Sequence, residues 1–406
     1  MIQSLDIPTI RPNNLEKIME VANNPVDFNN VVTGLKTHKY FRPSSFKVDL
    51  RNGNVMSYVP FRRKRKKKNK EVSCSVCEKD LPPIILSHKL PNDDYCFVSE
   101  NPYCFFNPDI AFDIVPRDFK GELSGINFLL WPTTTHCDIQ NMDPEIHSHS
   151  FYAMGIMEQK IIDAGYPWAF FGKNMGHSPT FKPMHSQYHI AGIRLFQIQE
   201  EEIKEGVRTE LFPGDIKYLN EQGISYAKFT KENNEHYLSN SIIRDYGDMV
   251  VAVHPDMRRA LEMIIYPKDT SIEKIQDLNE SQRLALAKAT SDISYSLSTL
   301  MPAMDMDEDY CFVYHNAGGT FYVEAFPASQ PVGFSERARI YQCESSPAHS
   351  GDILKEYYSK HVPQDWRDRD YRSMEFVDFI KHEIIEPIDN KHIREYEDKV
   401  HDDKKK

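Results

Sequence analysis

The chain has 406 residues, 40% hydrophobic and 27% charged, with a formal net charge of −11 at pH 7. This profile fits a soluble globular protein with room for two cores, while the acidic balance argues against general nucleic-acid binding and no apolar run is long enough for a transmembrane helix. Seven cysteines, an odd number in a long chain, do not read as a disulfide framework, so a reducing cytoplasm is the expected location.

The opening "MIQSLDIPTIRPNN" has no basic start and no apolar run, so no secretory signal is expected there. Residues 1–38 are expected to form an N-terminal extension, helical over "NLEKIMEVANN". Strands are predicted at "FKVDL", "YCFVS" and "GINFLLWP". The basic block "FRRKRKKKNK" at 61–70 has three readings: a solvated loop, a nuclear or nucleic-acid patch, or an anion-binding rim. No aromatics interleave its lysines, which disfavours nucleic acid.

A helix is predicted from Pro144 to Ala164. Asp143 precedes it, Pro144 takes its first position, Glu145 lies in its first turn and Gly165 ends it. "PWAFFGKN" then reads as a buried strand, and 200–245 as a polar connector. The second half repeats this order. "LEMIIYPKDT" at 261–270 resembles "INFLLWPTTT" at 126–135, and "CFVYHNAGG" at 311–319 matches "AFFGKNMGH" at 169–177. Between them, 277–297 is predicted helical, with Asn279 and Gln282 as its start. The expectation is an α+β fold with an internal duplication, one unit over 39–199 and another over 246–345, followed by a helical segment and tail over 346–406.

Cys74-x-x-Cys77 suits a dithiol or half of a zinc site, and the prolines that follow favour the metal. His136, after a strand, is the best third ligand; His147 and His149 are expected at the surface. "GHSPTFKPMHSQYH" at 176–189 either fills space or aims a histidine at a phosphate. A nucleophilic histidine needs a neutral imidazole and nearby donors, which Asn174, Ser178 and Gln187 can supply.

Taken together, "YPWAFFGKNMGHSPTFKPMHSQYHIAG", "YVPFRRKR", "YCFVSENPYCF" and "WPTTTHCD" resemble, in order, segments of the galactose-1-phosphate uridylyltransferase family of the histidine-triad superfamily. The resemblance runs from about 39 to 345. It implies two histidine-triad-like repeats, each an antiparallel sheet with flanking helices. It also implies a nucleotidyl-histidine enzyme of galactose metabolism that moves a nucleoside monophosphate from a nucleoside diphosphate sugar to a sugar 1-phosphate, with a homodimer as the assembly. Carried over, His185 is the nucleophile and Gln187 holds its phosphate, while His189 has no part. Asn101, Asn174, Ser178, Arg62 and Arg65 contact substrate; Cys74, Cys77 and His136 hold a structural zinc.

Two departures stand out. The first histidine of the family's His-Pro-His aligns with Pro183, leaving His177 or water as fourth zinc ligand. Of the family's second metal site, His315 fits one ligand, Glu324 and Phe326 replace a His-x-His pair, and Glu201 is the candidate carboxylate. That second site is expected to be absent. A phosphorylase of nucleoside diphosphate sugars or dinucleoside polyphosphates, and a non-catalytic nucleotide-binding protein, are the rival readings.

Overall fold

The computed structural model describes residues 10–35, 45–48, 55–58, 75–101, 123–166, 168–176, 185–195, 241–315, 321–328, 343–369 and 373–403. Two helices, α1 (Pro12–Asn23) and α2 (Phe28–Leu35), precede a hairpin of β1 (Ser45–Val48) and β2 (Val55–Tyr58). A single turn of helix, α3 (Ser75–Glu78), leads to β3 (Ile84–Lys89), β4 (Tyr95–Glu100) and β5 (Leu123–Trp131). Then come α4 (Pro144–Asp163), β6 (Trp168–Met175) and β7 (Tyr188–Leu195). The second half contains β8 (Ile242–Asp245), β9 (Met249–Val253), β10 (Met263–Pro267), α5 (Glu280–Ala303), β11 (Tyr310–His315) and β12 (Tyr322–Pro327). Three helices close the chain: α6 (Pro347–His361), α7 (Met374–Ile380) and α8 (Glu386–Asp403).

Ten strands form one antiparallel sheet in the order β3-β4-β5-β7-β6-β11-β12-β10-β9-β8. Read inward from either edge, the strands follow the same chain pattern and meet at the β6–β11 pair. A single ladder row crosses the sheet through Ile84, Ser99, Leu129, His189, Gly172, Val313, Glu324, Ile264, Ala252 and Ile242.

Both long helices form where their start signals lie. The Asp143 side chain accepts the Glu145 N–H. Asn279 and Gln282 form a reciprocal capping box. Such caps satisfy donors that have no partner within the helix. The two helices pack together over one sheet face. Alternation along β11 shows why that face is theirs: Tyr310, Phe312 and Tyr314 are buried in the main core, whereas Cys311, Val313 and His315 point to the far face. Each large apolar side chain fully buried in this way contributes about 1.5–3 kcal/mol. Gly192 lets α4 approach closely, because a Cβ there would come within 2.5 Å of the Ile161 side chain.

Three expectations change. His147, expected at the surface, is fully buried, because α4 turns that side of its first turns onto β7, with His147 Nε2 2.5 Å from the Tyr188 hydroxyl. His149 is half-buried, 3.0 Å from His88 through ring nitrogens. The end of the expected connector is the edge strand β8, whose Arg244 binds Asp292 of α5 at 3.0 Å and the Tyr358 and Val362 carbonyls. The rest of the connector, 200–240, lies outside the described residues.

Candidate active site on the far face

One end of the far face is closed by the N-terminal helix. Asn14 of α1 is fully buried, and its Nδ2 donates to the Val76 carbonyl at 2.9 Å and the Lys79 carbonyl at 2.8 Å. Its Oδ1 accepts the Leu81 N–H at 3.1 Å. Ile18 packs with Val76, Cys77 and Leu81 against Phe97, Leu129 and Trp131 of the sheet. The extension thus fixes the turn that carries Cys77.

Cys77 meets two histidines there. Its Sγ lies 3.5 Å from His136 Nε2 and 3.3 Å from His185 Nε2, and the two imidazoles meet edge to face at 4.2 Å. Zinc bond lengths in a tetrahedral site put a sulfur and a nitrogen ligand roughly 3.6 Å apart. The three side chains therefore fit three corners of such a site. Burial lowers the His136 pKa, and burial followed by the neighbouring His136 pushes His185 down to about 4. Both rings are accordingly biased to the neutral form that coordinates metal. The sequence comparison placed His185 apart from this group; in the structure its ring is part of it.

From His185 the chain enters β7 with alternating sides. Ser186 and Tyr188 are buried on the helix side, where Lys173 Nζ donates to Ser186 Oγ at 2.6 Å and lies over the Tyr188 ring at 5.1 Å. It also reaches the Gln187 carbonyl, at 3.4 Å. Burial pushes the Lys173 amine down to about 8. Gln187 and His189, both half-buried, take the far face. Asn174 and Gly172 of β6 share that face, since Phe171, Lys173 and Met175 turn to the helices. Among the described residues, a Cβ on Gly172 would have one neighbour within 4 Å, the Phe312 carbonyl oxygen at 3.4 Å, and Gly172 lies beside His189 in the ladder. On the other flank, buried Asn127 donates from Nδ2 to the Ile190 carbonyl at 2.9 Å and accepts from Asn101 Nδ2.

The other half carries a second polar cluster that sequence reasoning saw only in part. Glu324 lies 3.0 Å from His254 Nε2 through one oxygen and 3.0 Å from His315 Nε2 through the other. Arg258 binds Glu262 at 2.7 Å and reaches Glu324 at 3.4 Å. Burial alone would raise the Glu324 pKa, but His315, His254 and Arg258 outweigh it and hold the carboxylate well below its usual range. His254, Glu262 and Glu324 are close enough to share a cation. His254 and Glu262 were missed because they flank β9 and β10 with no motif spacing.

Of the expected site residues, Cys77, His136 and His185 come together, and Gln187 and Asn174 share the far face. Asn101 reaches Asn127 at the flank. Cys74, Arg62, Arg65, His177, Ser178, Pro183 and Glu201 lie outside the described residues.

No protein-family model matches the chain, and no curated protein matches it by sequence. Solved structures match it by fold. An ADP-glucose phosphorylase from Arabidopsis thaliana with bound ADP-glucose aligns with a TM-score of 0.53 and 16% identity, over 77% of this chain and 99% of that one. A uridylyltransferase aligns at 0.58 and 12%, over 79% and 100%. A GalT-like protein from Arabidopsis thaliana aligns at 0.53 and 15%, over 70% and 90%. The chain therefore has the uridylyltransferase-like fold that the sequence resemblance led one to expect.

Proposed function

We propose that this chain is a nucleotidyltransferase that takes a nucleoside monophosphate from a nucleoside diphosphate sugar and passes it to a sugar 1-phosphate, as a UDP-glucose–hexose-1-phosphate uridylyltransferase does. The observation that carries this reading is the Cys77–His136–His185 cluster at the head of β7, which leads straight into Gln187 and His189 on the far face. A metal clip that fixes where a strand enters a sheet positions the next polar side chains to within the tolerance that phosphoryl chemistry demands. The mirrored strand order supports reading the two halves as two histidine-triad-like repeats, the first catalytic.

In this reading Cys74 joins Cys77, His136 and His185 as the fourth zinc ligand, in place of His177 or water. Bound there, zinc supplies structure: it holds the α3 turn, the end of β5 and the start of β7 together. The transfer proceeds by double displacement. A neutral imidazole within the 185–189 segment attacks the α-phosphorus, and the sugar 1-phosphate leaves. A phosphate oxygen of the acceptor then displaces the imidazole. Asn174, Ser178 and Gln187 hold the phosphate oxygens as charge shifts, Asn101 contacts the nucleotide, and Arg62 and Arg65 pair with the outer phosphate.

A second reading has one supporting observation: an ADP-glucose phosphorylase with bound ADP-glucose shares this fold. A phosphorylase would run the same first step and use inorganic phosphate as acceptor. Transfer assays with a panel of nucleoside diphosphate sugars, each against hexose 1-phosphate and inorganic phosphate, separate the two. Binding without transfer from any donor would leave a non-catalytic nucleotide-binding protein.

A further inference from the structure

We infer that the residue that carries the nucleotidyl group is His189, with Gln187 as the donor that holds its phosphate. The inference rests on the nucleotidyltransferase reading above and names the nucleophile within it.

His185 is already committed. It is 1% exposed, and its Nε2 points at Cys77 Sγ from 3.3 Å. His136 closes one side at 4.2 Å between ring centroids, and the edge of Trp131 lies 6.4 Å away. The Thr133 and Thr135 backbone faces the ring as well. Attack on phosphorus needs a lone pair about 3–3.5 Å from the reacting atom, in line with the leaving group. A ring walled in on these sides offers no path for an α-phosphate, and a metal on this cluster would take up the Nε2 lone pair as well.

His189 is half-buried on the far face. It projects from near the start of a central strand, paired on both sides, with Leu129 and Gly172 as its row neighbours. Gly172, its row neighbour on β6, carries no side chain to cover the imidazole. Gln187 precedes it on the same face by two residues, roughly 7 Å along the strand. Asn174, two residues beyond Gly172 toward the Gln187 end of the antiparallel pair, adds a further neutral donor. Asn127, fully buried, holds the β7 backbone at Ile190, one residue past His189. A nucleophile and two neutral donors thus share one rigid patch.

The step balances without a co-reactant. One imidazole nitrogen of His189 gives its lone pair to the α-phosphorus, while the other keeps its proton. The bond from phosphorus to the bridging oxygen breaks, and sugar 1-phosphate leaves with that electron pair. In the second half, an oxygen of the acceptor phosphate attacks the same phosphorus. The phosphorus–nitrogen bond breaks and returns its pair to a neutral imidazole.

The test uses the full chain with a nucleoside diphosphate sugar labelled at the α-phosphate, a denaturing quench at alkaline pH, and peptide mapping. In the wild type the label should map to His189. His189→Asn and His189→Gln should keep their fold and metal content yet lose labelling and transfer at least about 10³-fold. Added imidazole should restore part of the transfer by His189→Gly, a rescue that a structural role would not show. His185→Asn should lose metal. Label on His185, normal labelling of His189→Asn, or transfer by the wild type with no covalent label would each overturn the assignment of His189. A wild type that transfers from no donor would defeat the nucleotidyltransferase reading itself, and this inference with it.

Discussion

His189 and Glu324 occupy matching places on one row of the sheet, each one strand away from the central β6–β11 pair and separated by Gly172 and Val313. Three strand spacings put them roughly 14 Å apart on the same face. The two halves thus offer chemically different groups at equivalent positions. One is an imidazole beside a glycine. The other is a carboxylate enclosed by His254, His315 and Arg258.

A side chain at residue 172 should separate binding from folding. Gly172→Val places a branched side chain beside His189, where among the described residues a Cβ would meet only the Phe312 carbonyl oxygen, at 3.4 Å. Thermal unfolding should show a stability equal to the wild type or higher by up to about 1 kcal/mol. Transfer should fall at least about tenfold, through a raised KM for the donor. A variant with unchanged kinetics would show that the substrate lies elsewhere.

Zinc retention by the proposed Cys77–His136–His185 site should depend on the N-terminal helix. Asn14→Ala removes three hydrogen bonds to the 76–81 turn, two of them buried. The expected loss is about 2–4 kcal/mol of stability, with weaker zinc retention against a chelator. Chemical unfolding and elemental analysis measure both. Metal content as robust as in the wild type would mean the turn does not need α1.

Glu324→Gln tests the second cluster. It leaves Arg258 and two histidines facing a neutral amide, and breaking one partner of a buried charged network costs about 3–5 kcal/mol. The wild-type carboxylate has a depressed folded pKa, so its contribution is fully present above the unfolded carboxylate range and is lost as pH falls through and below it. The stability difference between wild type and variant should therefore shrink on acidification. A difference that does not change with pH would rule out this charge network as the cause.

Lys173 predicts a rise of stability with pH in the alkaline range. Its folded pKa lies at about 8, depressed by burial from 10.5, so the unfolded chain holds more protons between those values. Wild-type stability relative to Lys173→Met should then rise from about pH 8 to about 10.5. The variant should also transfer more slowly, because Ser186 and Gln187 lose their anchor. Urea titrations across that range read the stability; a flat difference would mean the amine is not desolvated.

How much of this was legible in sequence depends on where the signal sits. The starts of α4 and α5 were readable, because Asp143, Asn279 and Gln282 act within four residues of themselves. The pairing of Cys77 with His136 was readable from residue type and a strand end. The place of His185 beside Cys77 was not. Three histidines share 176–189, and which one reaches Cys77 depends on the register of β7 in the sheet, which local spacing does not encode. The burial of His147 and the grip of Asn14 on residues 76–81 are likewise tertiary facts. An isolated histidine or asparagine in a helix carries no local mark of its partner.

The central claim, that this fold carries out nucleotidyl transfer through a covalent histidine, is tested most directly in a single turnover. The purified chain is mixed in excess with labelled nucleoside diphosphate sugars, without an acceptor, and both products are counted. The account predicts that one class of donor releases free sugar 1-phosphate in step with acid-labile, base-stable nucleotide on the protein, approaching about one per chain. Bound donor recovered intact from every nucleotide tried, with neither sugar 1-phosphate nor protein-bound label, would contradict it.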